Sequence, residues 1–285
     1  MASNENKLIH EAIGAGKWFP ANPSTLRREI TDYIDSAHVP TINGKIVAAI
    51  APHAGYMYSG AVAGHTFKAI KNNNNDGGRN KTVVVLGISH RISFPGLALL
   101  DGDSFRTPLG LAVMDTQTAK IMASESEQIS FAYEPHYGEH SAENQIPFLQ
   151  IAMPEARIVV GLSGEHSKKT VEEITRVLVH LSEKKDIIVL ASSDMLHDSN
   201  HSLVTTTDKE TLTAVETIDH ELIVRKWSPE HQIFCGIGPV VIAMKFAEAV
   251  GCRSGIVLQY RNSGDDFPES RGNWVVGYGS AVFAT

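Results

Sequence analysis

Two histidines each sit just past an apolar run that ends in a turn. They are His53, in Ile46-Val47-Ala48-Ala49-Ile50-Ala51-Pro52-His53-Ala54-Gly55, and His90, in Thr82-Val83-Val84-Val85-Leu86-Gly87-Ile88-Ser89-His90. Short β-branched runs read as buried strands, and in open α/β sheets the crevice beyond the strand C-termini is where ligands and metals collect. Two imidazoles delivered there predict a metal site. A third run, Ile187-Ile188-Val189-Leu190-Ala191, discharges Ser192-Ser193-Asp194-Met195-Leu196-His197 at its tip. Three strands thus repeat one arrangement, which surface decoration would not produce.

Two further segments could add chemistry. Glu139-His140-Ser141-Ala142-Glu143 is polar for a stretch that runs into Ile146-Pro147-Phe148-Leu149. It is either a helix start capped by Ser141, or a pair, Glu139 and His140, that lines the cleft and moves protons or orients a ligand. Cys235, in Phe234-Cys235-Gly236-Ile237-Gly238-Pro239, precedes a helix near 237–250. A helix N-terminus lowers a thiol pKa and makes a thiolate nucleophile or metal ligand, whereas a free cysteine is as readily a small buried hydrophobe. Cys252 has no such setting and reads as structural. The set His53, His90 and Cys235 does not select one ion: catalytic zinc, copper and Fe(II) all accept imidazole with a thiolate.

The elements that must position these groups follow the pattern of an α/β architecture, with apolar strand-like runs alternating with helical periodicity around a largely parallel sheet. Strands are expected near 46–51, 82–86, 97–100, 157–162, 187–191, 255–260 and 275–283, and helices near 60–71, 115–124, 141–151, 170–184, 207–218 and 237–250. Ser59 is the expected N-cap of the first helix. Asn72-Asn73-Asn74-Asn75-Asp76-Gly77-Gly78 has turn chemistry and is expected to be an exposed loop.

The chain has 285 residues, 42% of them hydrophobic, and no apolar stretch approaches the ~18–20 residues that span a bilayer. It reads as one soluble domain, 1–285, with no linker that divides it. The net charge of −7 is interspersed, so neither a nucleic-acid footprint nor a membrane-binding stripe is expected. Residues 1–7 lack the apolar core of a secretory leader, and two cysteines exclude a disulfide scaffold, so the cytoplasm is the expected compartment. Of the 13 histidines, His10, His38, His166, His180, His201, His220 and His231 fall on polar stretches, His65 on a helix, and His136 stays open.

Ala15-Gly16-Lys17-Trp18-Phe19-Pro20, Ala51-Pro52-His53-Ala54-Gly55-Tyr56-Met57-Tyr58-Ser59-Gly60, Gly87-Ile88-Ser89-His90, Thr107-Pro108-Leu109-Gly110, Glu139-His140-Ser141-Ala142-Glu143, Ser192-Ser193-Asp194, Cys235-Gly236 and Val275-Val276-Gly277-Tyr278 resemble, in order, the motifs of the Memo family. Microbial AmmeMemoRadiSam system protein B belongs to that family. The resemblance spans nearly the whole chain. It implies a three-layer α/β/α domain with a mixed, largely parallel sheet, similar to class III extradiol dioxygenases, whose Fe(II) is held by two histidines and a glutamate. Cys235 would replace that carboxylate, with His53 and His90 as the other ligands and Trp18, Tyr58, Asp194 and His197 around the pocket. Two positions depart from the family pattern: Arg91 stands where a second histidine is common, and Leu196 where serine or cysteine is usual. Arg91 adds a cation that could favour an anionic ligand or pair with a nearby acid.

Three functions follow. The first is a metal-dependent redox enzyme, with Fe(II) favoured and copper or zinc as alternatives, His140 or His197 as acid/base, and Asp194 orienting an imidazole. The second is a binding module that holds a small molecule or a (phospho)peptide in the same cleft without turnover, as the resemblance also implies, with Trp18, Tyr58, Glu139 and Arg91 as ligand contacts. The third is a hydrolase with Cys235 as nucleophile and His53 or His90 as its base. The resemblance further implies radical-SAM and AMMECR-type partner proteins.

Overall fold

The computed structural model describes residues 7–285; residues 1–6, on which the expectation of no secretory leader mostly rests, lie outside the described residues. The three apolar runs that end in His53, His90 and Asp194 form adjacent parallel strands. They are β2 (Ile46–Ala51), β3 (Thr82–Ile88) and β9 (Ile187–Ser192), and β9 lies between the other two. β8 (Arg157–Ser163) extends the parallel core beside β3, and the antiparallel β4 (Leu97–Leu99) and the short β7 (Ile129–Phe131) complete that side. On the other side β12 (Val275–Ala284) pairs antiparallel with β2, and β11 (Gly255–Asn262) pairs with β12. The two-residue β10 (His197–Asp198) pairs with the start of β12. The sheet is mixed with a parallel centre, and every residue of β2 and β9 is buried, as a strand covered on both faces requires.

Strand alternation divides the core into two layers. Val83, Val85, Ala49 and Leu190 meet α1 (Pro23–Ser36), α2 (Tyr56–Asn73) and α4 (Ile146–Ala152). Val84, Leu86, Ala48 and Val189 meet α3 (Thr116–Glu125), α5 (Lys168–Ser182), α6 (His201–Glu216), α7 (His220–Lys226) and α8 (Ile237–Ala249). The result is the expected α/β fold with helices on both faces of the sheet. Among the described residues, no helix is long and apolar enough to cross a membrane.

Several expectations are corrected. α2 begins at Tyr56, directly after the His53 turn, with Gly55 at the cap position. Ser59 lies inside the helix, where its hydroxyl donates to the Ala54 carbonyl (2.9 Å). The asparagine run is not simply a loop: α2 continues to Asn73, whose Oδ1 accepts the Ile46 N–H (2.9 Å), and Asn74 is buried and donates to the Ile70 carbonyl (2.7 Å). Instead of a helix from 141, a 3₁₀ turn at Glu143–Gln145 precedes α4. The Ser141 hydroxyl is committed to Ile88, donating to its carbonyl (2.6 Å) and accepting its N–H (3.1 Å), so it caps nothing. α6 starts earlier than expected because Asn200 caps it, accepting the Leu203 N–H (3.1 Å). α1, capped by Asn22 and carrying Leu26, Ile30 and Ile34 inward, was not anticipated. Neither was the small sheet of β1 (Ile9–Glu11), β5 (Ser104–Thr107) and β6 (Gly110–Val113).

The chain beyond β9 is held from behind by Asp208 of α6, which is fully buried. Its carboxylate accepts the Leu196 N–H (3.1 Å) and the Tyr260 hydroxyl (3.0 Å). Gly277 leaves room for it, since a Cβ there would lie 1.7 Å from Asp208 Oδ2. Burial pushes this carboxyl up from 3.8 to about 7, ahead of the two hydrogen bonds that oppose the shift. Its protonated form therefore suits the fold: its contribution to stability is complete below pH 3.8 and is lost as pH rises through about 7. Asp208→Asn keeps that site neutral at every pH. Its melting temperature relative to wild type is expected to be more favourable at pH 8 than at pH 4.5, and an equal difference at both pH values would contradict the assignment.

The α1–α2 crossing gives a second prediction. A Cβ on Gly64 would lie 2.5 Å from the Tyr33 carbonyl oxygen, a backbone atom that cannot swing away. Gly64→Ala should cost about 1–3 kcal/mol in overpacking, only partly offset by roughly 1 kcal/mol of helix propensity. The expected result is a lower denaturation midpoint with an unchanged slope; an unchanged midpoint would show that the helices can part.

Candidate metal centre

The Pro52–Gly55 turn after β2 places the His53 ring among buried polar groups that determine which nitrogen carries its proton. Its Nδ1 lies 3.2 Å from Ser192 Oγ, at the tip of β9. That hydroxyl already donates to the Ser141 carbonyl and accepts from Gln145 Nε2 (2.7 Å). With its one hydrogen spent, Ser192 can only accept from His53, so Nδ1 is protonated and Nε2 carries the free lone pair. Asn144 Nδ2 fixes the turn by donating to the His53 carbonyl (2.6 Å). Burial, followed by the neighbouring His90 and His140 rings, holds the His53 pKa well below 6.5, so the ring is neutral at pH 7.

His90 follows β3 and is oriented by Glu139, a buried carboxylate that accepts its ring Nδ1–H (2.9 Å) and its backbone N–H (2.7 Å). The same carboxylate accepts the N–H groups of His140 and Ser141 (both 2.8 Å). Burial alone would raise the Glu139 carboxyl, but the His90 ring and the backbone donors outweigh it and hold it down to about 2. His90 Nε2 is thereby left free, in the carboxylate–histidine arrangement common to metal ligands. His140 stacks between Trp18 (ring centroids 3.8 Å apart, 3° between planes) and His90 (5.1 Å, 13°). Burial first, then the His90 ring, lowers its pKa to about 4.

His53, His90 and His140 each present a ligand atom within 4.8 Å of the other two, and no other such triad occurs among the described residues. His140, expected as an acid/base, thus stands as a third donor. Cys235 is not in that triad, although its Sγ lies 3.3 Å from His53 Nε2. Its thiol is half-buried, and burial, then the Asp194 charge, pushes it up to about 12. Burial thus works against the lowering expected from the α8 N-terminus, and against a ready thiolate nucleophile.

Asp194 does not touch an imidazole. Its Oδ1 accepts the backbone N–H groups of His53 (2.8 Å) and Ala54 (3.2 Å), so it shapes the turn while Ser192 orients the ring. Burial raises its pKa to about 6. His197 is close enough for its charge to bear on His53; it donates from Nδ1 to the Met195 carbonyl (2.9 Å), leaving Nε2 free. Tyr58 is exposed on the first turn of α2 and packs against Phe267 (4.9 Å). The Arg91 guanidinium lies against Gly138 and has no ion-pair partner among the described residues; all four short contacts of Glu139 are to histidine and backbone N–H groups. Ser192, Ser141, Asn144, Gln145 and Glu143 are supports that local sequence pattern did not mark, although Ser192, Ser141 and Glu143 stand in the polar segments around Asp194 and His140.

A family model described as Memo-like protein matches residues 10–282. A MEMO1 family protein of Methanopyrus kandleri is 30% identical over 282 residues, covering 94% of this chain and 96% of the relative. One of Thermoplasma volcanium is 30% identical over 281 residues (96% and 98%), and one of Nitrosopumilus maritimus 28% over 281 residues (97% and 100%). End-to-end similarity of this kind, on a chain whose imidazole cluster falls within the matched span, means that the protein belongs to the Memo-like family.

Proposed function

We propose that this protein is a metal-dependent redox protein whose centre is held by His53, His90 and His140, with Cys235 beside them. The observation that carries the reading is the triad itself: three imidazoles with ligand atoms within 4.8 Å of one another, two of them with Nδ1 committed elsewhere so that Nε2 is left to ligate, that of His53 lying 3.3 Å from the Cys235 thiol. The donor set fits a transition metal. Imidazoles with a nearby thiol suit iron, copper or zinc, whereas magnesium and calcium sites are built from oxygens. The redox element rests on Cys235, because a sulfur next to the centre tunes Fe(II) or copper in ways that a carboxylate does not. Fe(II) or copper supplies, when bound, the one-electron and oxygen chemistry that side chains lack.

The chain's own groups have separate tasks. Glu139 and Ser192 hold the His90 and His53 rings in the tautomer that ligates. His197, whose Nε2 has no partner among the described residues, would hold or move a proton. Tyr58, exposed on the first turn of α2, and Arg91, without an acid partner among the described residues, favour a site that also holds a small molecule or peptide. The same two side chains support the alternative in which ligand is bound and nothing is turned over.

Protein purified without oxygen or affinity metals is expected to carry, or take up, near-stoichiometric iron or copper, and His53→Ala/His90→Ala is expected to carry almost none. Elemental analysis reads both. A wild type that also refuses added Fe(II) and Cu(I) would sink the redox reading in favour of the binding module.

A further inference from the structure

The three imidazoles are not oriented alike. His53 has Ser192 and His90 has Glu139 as hydrogen-bond partners for Nδ1. The His140 ring has only a 3.3 Å approach of Nδ1 to Glu139 Oε1, an oxygen that already accepts the His90 ring and two backbone N–H groups. What fixes the plane of His140 is the face of Trp18, parallel to within 3° at 3.8 Å.

Trp18 lies on a tight loop folded around one carbonyl. The Gly14 oxygen accepts the N–H groups of Lys17 (2.9 Å) and Trp18 (2.8 Å), and Gly16 donates to the Phe19 carbonyl (2.7 Å). The loop is tied down at two points. Trp18 O accepts the Tyr56 N–H (2.9 Å), three residues beyond His53. At the other end, Glu143 accepts the Gly14 N–H at Oε1 (2.6 Å) and the Ile13 N–H at Oε2 (3.2 Å). The seat is close: a Cβ on Gly14 would lie 2.9 Å from both Glu143 Oε1 and the Phe19 ring, and 3.3 Å from the Trp18 ring.

Resting on the metal reading above, we propose that Glu143 is a positioning residue of the centre: its carboxylate seats the Gly14–Phe19 loop so that Trp18 holds His140 in place as the third donor. A carboxylate is the group suited to this task, since it offers two acceptors to two successive N–H groups, whereas an amide would offer one and set its own N–H₂ against the other. The position is a costly one for a charge, as burial pushes the Glu143 carboxyl up to about 7 against its two donors.

The test is a Co(II) titration of wild type, Glu143→Gln, Trp18→Ala and Trp18→Phe, followed by visible absorption and by quenching of indole emission. Wild type is expected to bind Co(II) with quenching of Trp18. Glu143→Gln and Trp18→Ala should each bind at least about 10-fold more weakly, the scale of effect seen when partners of metal ligands are removed, with an altered visible spectrum. Trp18→Phe, which keeps an aromatic face, should retain most of the affinity. The component of quenching missing from Trp18→Phe should also be missing from Glu143→Gln. A Glu143→Gln protein with wild-type affinity, spectrum and quenching overturns the proposal, as does one that loses affinity while Trp18 is still quenched. If Glu143→Gln fails to fold, wild-type affinity and spectrum in Trp18→Ala overturn it. A wild type that takes up no Co(II) or other metal overturns the metal reading itself, and this inference with it.

Discussion

The buried Glu139 carboxylate is the interaction on which the centre depends. Four donors converge on it within 2.7–2.9 Å: both the ring and the backbone of His90, and the backbone N–H groups of His140 and Ser141. It thereby joins the tip of β3 to the segment before α4, 49 residues away in sequence. Each buried donor left without an acceptor costs about 1–3 kcal/mol, so the four together leave this junction little freedom. Hydrogen bonds to the ionised form more than offset burial and keep the carboxylate charged. The two neighbouring carboxyls, Asp194 and Glu143, lack that surplus and are pushed up instead.

Ser192 does for His53 what Glu139 does for His90, with a neutral group. Its hydroxyl is saturated by Ser141 and Gln145, and that saturation makes the His53 tautomer unambiguous. The choice of partner has an electrostatic consequence. A second carboxylate against the rings would oppose the strong pKa depression that burial imposes on His53, whereas serine leaves it intact. Two neutral supports and one charged one thus hold the three rings, and a metal bound there would not first have to displace protons from His53 and His140.

The strands that deliver the site were legible because fully buried parallel strands are uniformly apolar, so Ile46–Ala51, Thr82–Ile88 and Ile187–Ser192 stand out as blocks with polar tips. α1 was missed although Asn22-Pro23 is a helix-start signal and Leu26, Ile30 and Ile34 recur at helical spacing. The small sheet escaped because its strands are three or four residues long and half exposed. His53 and His90 could be placed from local pattern alone. The role of His140 could not, since its approach to the other two rings depends on Glu139 accepting from β3 and on a tryptophan 122 residues upstream. Asp194 was given the task of orienting an imidazole because carboxylates commonly do so. In the fold the turn brings main-chain N–H groups to it, and Ser192, two residues earlier, meets the ring. The helix N-terminus near Cys235 was visible, but the burial that overrides it was not.

The most direct test of the central claim is X-ray absorption at the edge of the metal bound by protein loaded with Fe(II) or Cu(I) under anaerobic conditions, with His140→Ala as the comparison. The outer-shell pattern should require three imidazoles in wild type and lose one in the variant. A first shell of oxygens alone, or a wild-type pattern that His140→Ala leaves unchanged, would contradict a centre built on this triad.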